Sequence, residues 1–348
     1  MKQSMLMALC AFALSSGAAV DAAKPILIAH RGASGERPEH TLAAYKLAIE
    51  AGADFIEPDL VLTRDGVLVV RHENEISGTT DVADHPEFSG RKTTKTIDGQ
   101  KLTGWFTEDF TLAELKTLRA RERLPQLRPA NTAYDGQFEI ATFKEVLALV
   151  GAESKALGRE IGVYPETKHP SYFASIGLPH EAPLLAALGA QGWTKRTSPV
   201  FIQSFEVGNL KALRKKTQVR LIQLVDGEGT PADTPATTYL DMLTPAGLKA
   251  IAAYADGIGP NKALIIPQQA DGRLGHPTLL VANAHKAGLK VHPWTFRAEN
   301  YFLSAAYRKG SDPKAHGDLE GEIKAYLGTG IDGLFSHNPR EARAAIGK

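Results

Sequence analysis

Short apolar runs alternate with segments whose apolar residues recur at helical spacing over nearly the whole chain. The runs read as strands are ILIAH (26–30), FIEPDL (55–60), IGVYPE (161–166), VFIQSF (200–205), RLIQLV (220–225), DGIGP (256–260), KVHPWTF (290–296) and DGLFS (332–336). Between them lie helical patterns such as TLAAYKLAIEAG, TFKEVLALVGAE, EVGNLKALRKK and PTLLVANAHKAG, several closed by glycine as helix C-termini prefer. Strand and helix in alternation point to a parallel sheet. Eight such units predict an α/β fold, a (β/α)8 TIM barrel. Residues 64 to about 141 break the alternation and read as an insertion after the second strand, about 73–140 of it beyond the hairpin. Leaving the barrel at the C-terminal ends of its strands, it is expected to form a cap beside that mouth and narrow what can enter it.

The second strand continues into FIEPDLVLTRDGVLVVRH (55–72), two apolar runs around Asp65-Gly66, a strong hairpin signal. With those two as the loop, Leu62 pairs with Val69, Leu60 with Arg71 and Asp59 with His72. Glu57, Asp59 and His72 then share one face. The competing reading is a surface hairpin with solvated charges. A buried ionised carboxylate is costly unless paired or metal-bound, so the rest of the chain must supply its partners.

Composition narrows the setting. A basic start at Lys2, an apolar run from Met5 to Leu14 and small residues to Ala22 form a secretory leader, cleaved after Ala22 or nearby, so 1–22 is a signal peptide and 23–348 a single barrel domain. The expected location is periplasmic or secreted. Cys10, the only cysteine, leaves with the leader. The formal net charge is +1 with no basic block, which gives no support to nucleic-acid binding. No second long apolar segment follows, so no stable membrane anchor is expected.

Barrel enzymes carry their chemistry at the C-terminal ends of the strands. Those ends read His30-Arg31-Gly32, Glu57-Pro58-Asp59 with His72 returning, Glu166-Thr167-Lys168 and Gln203-Ser204-Phe205, and the seventh strand carries Trp294. Three acids, two histidines, an arginine and a lysine gathered at one mouth suggest metal-assisted phosphodiester cleavage. Glu57, Asp59 and Glu166 offer only oxygen ligands, which suits a hard cation, Ca²⁺ or Mg²⁺. Arg31 and Lys168 would neutralise phosphate, with Gln203 beside them. His30 and His72 would act as general acid and base. His72, held opposite Asp59, is expected to be kept basic by the acid cluster. Trp294 is either a wall for the substrate's carbon chain or a core residue. His40 and His169 fall near the mouth; His85, His276, His292 and His337 read as surface or packing residues.

The segments AHRGASGERPEHTLAAY, GADFIEPDLVLTRDGVLVVRHE, IGVYPETKHP, QSF and VHPWT resemble the glycerophosphodiester phosphodiesterase family, most closely its exported, periplasmic bacterial type. The resemblance implies a barrel of the phospholipase-C-like phosphodiesterase type that hydrolyses glycerophosphodiesters, such as those of choline or ethanolamine, to glycerol 3-phosphate and an alcohol. It implies His30 and His72 as the catalytic pair, Arg31 and Lys168 on phosphate, and Glu57, Asp59 and Glu166 on Ca²⁺. The chain departs from the family's common pattern at Glu73, where Asp is frequent, at His337, near which Asp is frequent, and at His40, where many members have Asn. Two competitors remain. A related barrel phospholipase would need an apolar rim for an acyl chain, and residues 73–140 offer none. An exported binding protein would have no use for a matched acid and base.

Overall fold

Residues 24–347 are described in a computed structural model of the chain; the leader expected over 1–22 lies outside them. The strands are β1 (Ile26–His30), β2 (Phe55–Glu57), β3 (Asp59–Leu62), β4 (Leu68–Val70), β5 (Thr93–Ile97), β6 (Gln100–Gly104), β7 (Gly162–Val163), β8 (Glu166–Thr167), β9 (Phe201–Ser204), β10 (Arg220–Val225), β11 (Gly257–Pro260), β12 (Lys290–Val291) and β13 (Gly333–Ser336). Parallel ladders run β13-β1-β2-β7 and β12-β11-β10-β9-β8-β3. Val163 bridges to Val200 on one side. On the other, Phe335 N–H donates to the Pro293 carbonyl at 3.0 Å. The sheet is thereby closed into the expected (β/α)8 TIM barrel.

Two of the eight barrel strands are split where the sequence reads as one. β2 gives way to β3 at Pro58, and β7 to β8 across Tyr164-Pro165. Proline has no N–H for the ladder, so each strand is interrupted and then resumes. Both breaks fall at the mouth, and each is followed at once by an acid, Asp59 or Glu166.

The strand period of two builds the interior in layers. Ile28, Phe55, Tyr164, Phe201, Ile222 and Phe335 pack together in the barrel's middle. Tyr164 Oη bonds His292 Nδ1 there at 2.8 Å. Two residues further along the same strands come His30, Glu57, Glu166, Gln203, Leu224 and His337, with Trp294 two beyond His292. The apolar layer therefore sets the height and direction of the polar one above it. Leu27, Ala29 and Ile56, pointing the other way, join the outer core against helices such as Leu42–Glu50 and Phe143–Leu157. Thr41 caps the first of these, accepting from Ala44 N–H, and Thr142 with Glu145 forms a capping box on the second.

The hairpin register differs from the expectation by one residue. Leu60 pairs with Val70, Val61 with Val69 and Leu62 with Leu68. Thr63 N–H reaches the Val67 carbonyl, leaving a three-residue loop in which Gly66 alone has positive φ (76°). That is a type I turn closed by a glycine bulge instead of a two-residue primed turn. Arg71, not His72, therefore faces Asp59, and its N–H bonds the Asp59 carbonyl. The Arg71 side chain is fully buried and ties the start of the insertion to the barrel, donating to the carbonyls of Val70, Thr79, Glu39 and His40.

Candidate active site

Glu57, Asp59 and Glu166 converge as the sequence suggests: one oxygen from each lies within 4.8 Å of the others. Glu57 accepts from the Arg31 backbone N–H (2.9 Å) and from Gln203 Nε2 (3.0 Å). Asp59 Oδ2 meets His40 Nε2 at 2.9 Å, while Oδ1 is buried with no partner among the described residues. Burial, then Asp59 and Glu166, push the Glu57 carboxyl well above the usual range. Burial takes Glu166 up to about 8 despite Lys168. Asp59 goes the other way: burial opposes its charge, but His40 and Arg31 hold it well below the usual range. Three buried acids that cannot all ionise alone, with an orphaned oxygen among them, fit a hard divalent cation.

Arg31 takes its place through a left-handed backbone (φ 63°), followed by Gly32 at φ 82°, where a Cβ would come within 2.6 Å of Ala44. The turn brings Nη1 to Glu39 (3.2 Å) and Nε to within 3.4 Å of Asp59. Lys168 Nζ lies 3.0 Å from Glu166. Burial opposes the charge on both groups, and the surrounding carboxylates more than offset it.

His72 stands beyond the end of β4 and reaches the mouth because the chain bends there. It lines the same cavity, of about 260 Å³, as His30, Arg31, Lys168, Gln203 and Trp294. Its Nδ1 donates to Glu73 at 2.9 Å, so Nε2 carries the lone pair. The expectation that the acids keep His72 basic is corrected: burial first, then Arg31 and Lys168, lower it to about 4. Glu73 also meets His169 Nε2 (2.7 Å), whose Nδ1 meets Asp98 (2.6 Å). Those two hydrogen bonds outweigh burial and raise His169 to about 9, making it an imidazolium that donates from both nitrogens.

His30 has the opposite arrangement. Its Nδ1 lies 2.8 Å from His337 Nε2, and His337 Nδ1 lies 2.8 Å from Arg128 Nη2. A guanidinium only donates, so His337 accepts at Nδ1 and donates from Nε2 to His30. Burial, and next to it Arg31 for His30 and Arg297 for His337, holds both rings neutral. The Nε2 of His30 then carries its proton. One histidine of the pair is set to donate and the other to accept.

Sequence reasoning missed several of these residues. His337, read as a surface or packing residue, is fully buried against His30. It sits two residues after Phe335, so the strand-end rule that found His30 would also have found it. Arg128 comes from the insertion and carries no periodic signal. Arg297 lines the cavity, stacks its guanidinium 4.4 Å from the Phe302 ring centroid and leaves Nε with no partner among the described residues. Burial, Arg31 and Arg128 lower it to about 9. Trp294 is a partly buried cavity wall whose Nε1 donates to the Gly259 carbonyl at 2.8 Å.

The family model described as the glycerophosphoryl diester phosphodiesterase family matches residues 30–341. A glycerophosphodiester phosphodiesterase of Arabidopsis thaliana is 38% identical over 344 residues, covering 93% of this chain and 88% of that protein. One from Haemophilus influenzae is 30% identical, covering 79% of each. Among solved structures, an Oleispira antarctica phosphodiesterase in complex with the product sn-glycerol-3-phosphate superposes with a TM-score of 0.60 at 22% identity, covering 93% of this chain and 97% of that one. The chain belongs to the glycerophosphoryl diester phosphodiesterase family and is an enzyme of that kind.

Proposed function

We propose that the enzyme hydrolyses glycerophosphodiesters to glycerol 3-phosphate and an alcohol, with His30 and His72 as the acid–base pair and Ca²⁺ or Mg²⁺ on Glu57, Asp59 and Glu166. The observation that carries this reading is the contrasting partners of the two histidines on one cavity: His72 Nδ1 lies on the Glu73 carboxylate, and His30 Nδ1 on a histidine that Arg128 holds. His72 Nε2 takes the proton of the nucleophile, either water or the substrate's own 2-hydroxyl. His30 Nε2–H donates to the leaving oxygen as charge develops there and passes its proton to the departing alkoxide, and solvent reprotonates His30 as His72 returns the nucleophile's proton to solvent, so both rings are restored. Arg31, Lys168 and Arg297 surround the phosphate with fixed positive charge in a water-poor pocket. A bound cation would neutralise the acid cluster and polarise a phosphoryl oxygen. The product held by the Oleispira antarctica relative supports glycerol 3-phosphate as the retained half.

The test is release of glycerol 3-phosphate from glycerophosphocholine by wild type and by His30→Ala and His72→Ala. Each variant should lose roughly 10²–10⁴ in kcat; wild-type turnover by both would overturn the assignment. Export, to the periplasm or beyond the cell, is part of the same proposal and rests on the composition of residues 1–22. Amino-terminal sequencing of the mature protein tests it: an intact Met1 on the folded enzyme would refute it.

A further inference from the structure

Beside the catalytic cavity lies a larger groove of about 700 Å³. The two share Glu166, Lys168 and Phe205, so one opens onto the other where the phosphate would sit. The remaining walls come from the β5–β6 turn at Asp98, from Tyr172, from Glu206 and from Tyr239.

Glu206 is the informative residue. It is 3% exposed, and its carboxylate accepts only from the Ser171 N–H, at 3.0 and 3.3 Å. Among the described residues no basic side chain pairs with it, since Lys168 is engaged with Glu166 and His169 with Glu73 and Asp98. A buried carboxylate without a counter-cation is destabilising. Asp233, held by the N–H groups of Val207 and Gly208, adds negative charge nearby. Burial, with Asp233 and Asp98, pushes Glu206 up to about 7, which reports the same negative field.

The aromatic walls are continuous. Phe205 stands with its ring centroid 5.9 Å from Tyr239 at 69° and 5.9 Å from Trp294 at 79°. The three rings lead from the catalytic cavity into the groove, where Phe205 and Tyr239 share the lining with Glu206. A carboxylate without a cation beside crossed aromatic faces is the chemistry that recognises an ammonium group.

We propose that this groove is the leaving-group subsite and that it selects a cationic amino alcohol, with its ammonium head between Glu206 and the rings of Phe205 and Tyr239. The proposal rests on the phosphodiesterase reading above. A neutral polyol in the groove would leave Glu206 uncompensated, and an anionic head would be repelled.

The experiment compares kcat/KM for glycerophosphocholine and glycerophosphoglycerol, which share the glycerol 3-phosphate half. The choline diester should be favoured by roughly tenfold or more, the scale of a cation–π contact with a partly desolvated charge. Glu206→Gln should bring the ratio down toward one. Choline should inhibit wild type competitively, while its uncharged isostere 3,3-dimethylbutanol should not; this arm needs no variant to fold. Equal kcat/KM for the two diesters, an unchanged ratio in Glu206→Gln, or equal inhibition by choline and its isostere would each overturn the subsite. Failure of wild type to cleave either diester would instead overturn the phosphodiesterase reading.

Discussion

Replacing Glu73 by glutamine should damage the enzyme more than replacing it by alanine. Glu73 accepts from His72 Nδ1 at 2.9 Å and from His169 Nε2 at 2.7 Å. His169 is raised to about 9, so at neutral pH it is an imidazolium and must donate. A glutamine at 73 has one accepting and one donating end. The charged donor His169 claims the carbonyl oxygen, because a hydrogen bond to a charged group outweighs a neutral one. The amide NH₂ is left facing His72 Nδ1 and forces that nitrogen to accept. The proton moves to Nε2, where the base needs its lone pair. Inverting a tautomer in this way cost about 10⁴ in kcat in the serine-protease triad, and roughly 10²–10⁴ is expected here. In Glu73→Ala, water accepts the Nδ1 proton and Nε2 stays free, so the loss should be smaller. The double variant Glu73→Gln with His169→Phe lets the amide turn over and should recover part of the activity. The assay is glycerol 3-phosphate release at saturating glycerophosphocholine, with melting curves to show that each variant folds. A Glu73→Gln enzyme as active as Glu73→Ala, or no recovery in the double variant, refutes the reasoning.

Removal of divalent cations with a chelator should abolish turnover and Ca²⁺ or Mg²⁺ should restore it; Asp59→Ala should lose cation affinity by calorimetry along with activity, and full activity of a metal-free enzyme would refute both. Arg297→Ala removes an unpaired guanidinium from the cavity and should weaken inhibition by glycerol 3-phosphate by roughly 10- to 100-fold, as expected for a charge-assisted hydrogen bond; an unchanged inhibition constant would return Arg297 to a packing role. His169 bears on stability, because its folded pKa of about 9 exceeds the unfolded 6.5. The stabilisation is complete below pH 6.5 and is lost as pH rises through 9, up to roughly 3 kcal/mol. Wild type should therefore lose thermal stability between those values while His169→Phe should not, and parallel curves would show that the pairing contributes nothing.

The eight barrel strands were legible as short apolar runs set between helical patterns, and the residues at their C-terminal ends carried the site. Once Ile28, Phe55, Tyr164 and Phe201 are interior, His30, Glu57, Glu166 and Gln203 must stand one layer above them. The register of the hairpin was not legible. Asp-Gly recurs along this chain, and at two of its turns it does two different things. At Asp98-Gly99 both residues have positive φ (48° and 81°) and Ile97 pairs with Gln100, a two-residue primed turn. At Asp65-Gly66 only the glycine does, because Thr63 Oγ1 accepts from Val67 N–H and bonds the Asp65 carboxylate, widening the loop by one residue. The dipeptide alone does not carry that distinction. The sign of the His72 shift was missed for a related reason: a sequence shows which charges are near, and burial, the dominant cause here, appears only once the chain is folded.

The segment expected to cap the mouth supplies charged residues that reach the site. Arg128, near its end, fixes the tautomer of His337 and through it that of His30. Asp98, at the tip of its β5–β6 hairpin, holds His169, which holds Glu73, which orients His72. Each proposed catalytic histidine is thus set from outside the barrel, by a charged residue that no strand periodicity marks. Without those two residues the mouth would still hold His30, His72, three acids and the cations Arg31, Lys168 and Arg297, with nothing to decide which imidazole donates. Because Asp98 also lines the groove beside Glu206, the same hairpin tip that orders the proposed base also lines the proposed leaving-group subsite. A change in that turn is therefore expected to alter leaving-group preference and turnover together, whereas a change in an ordinary lid would alter access alone.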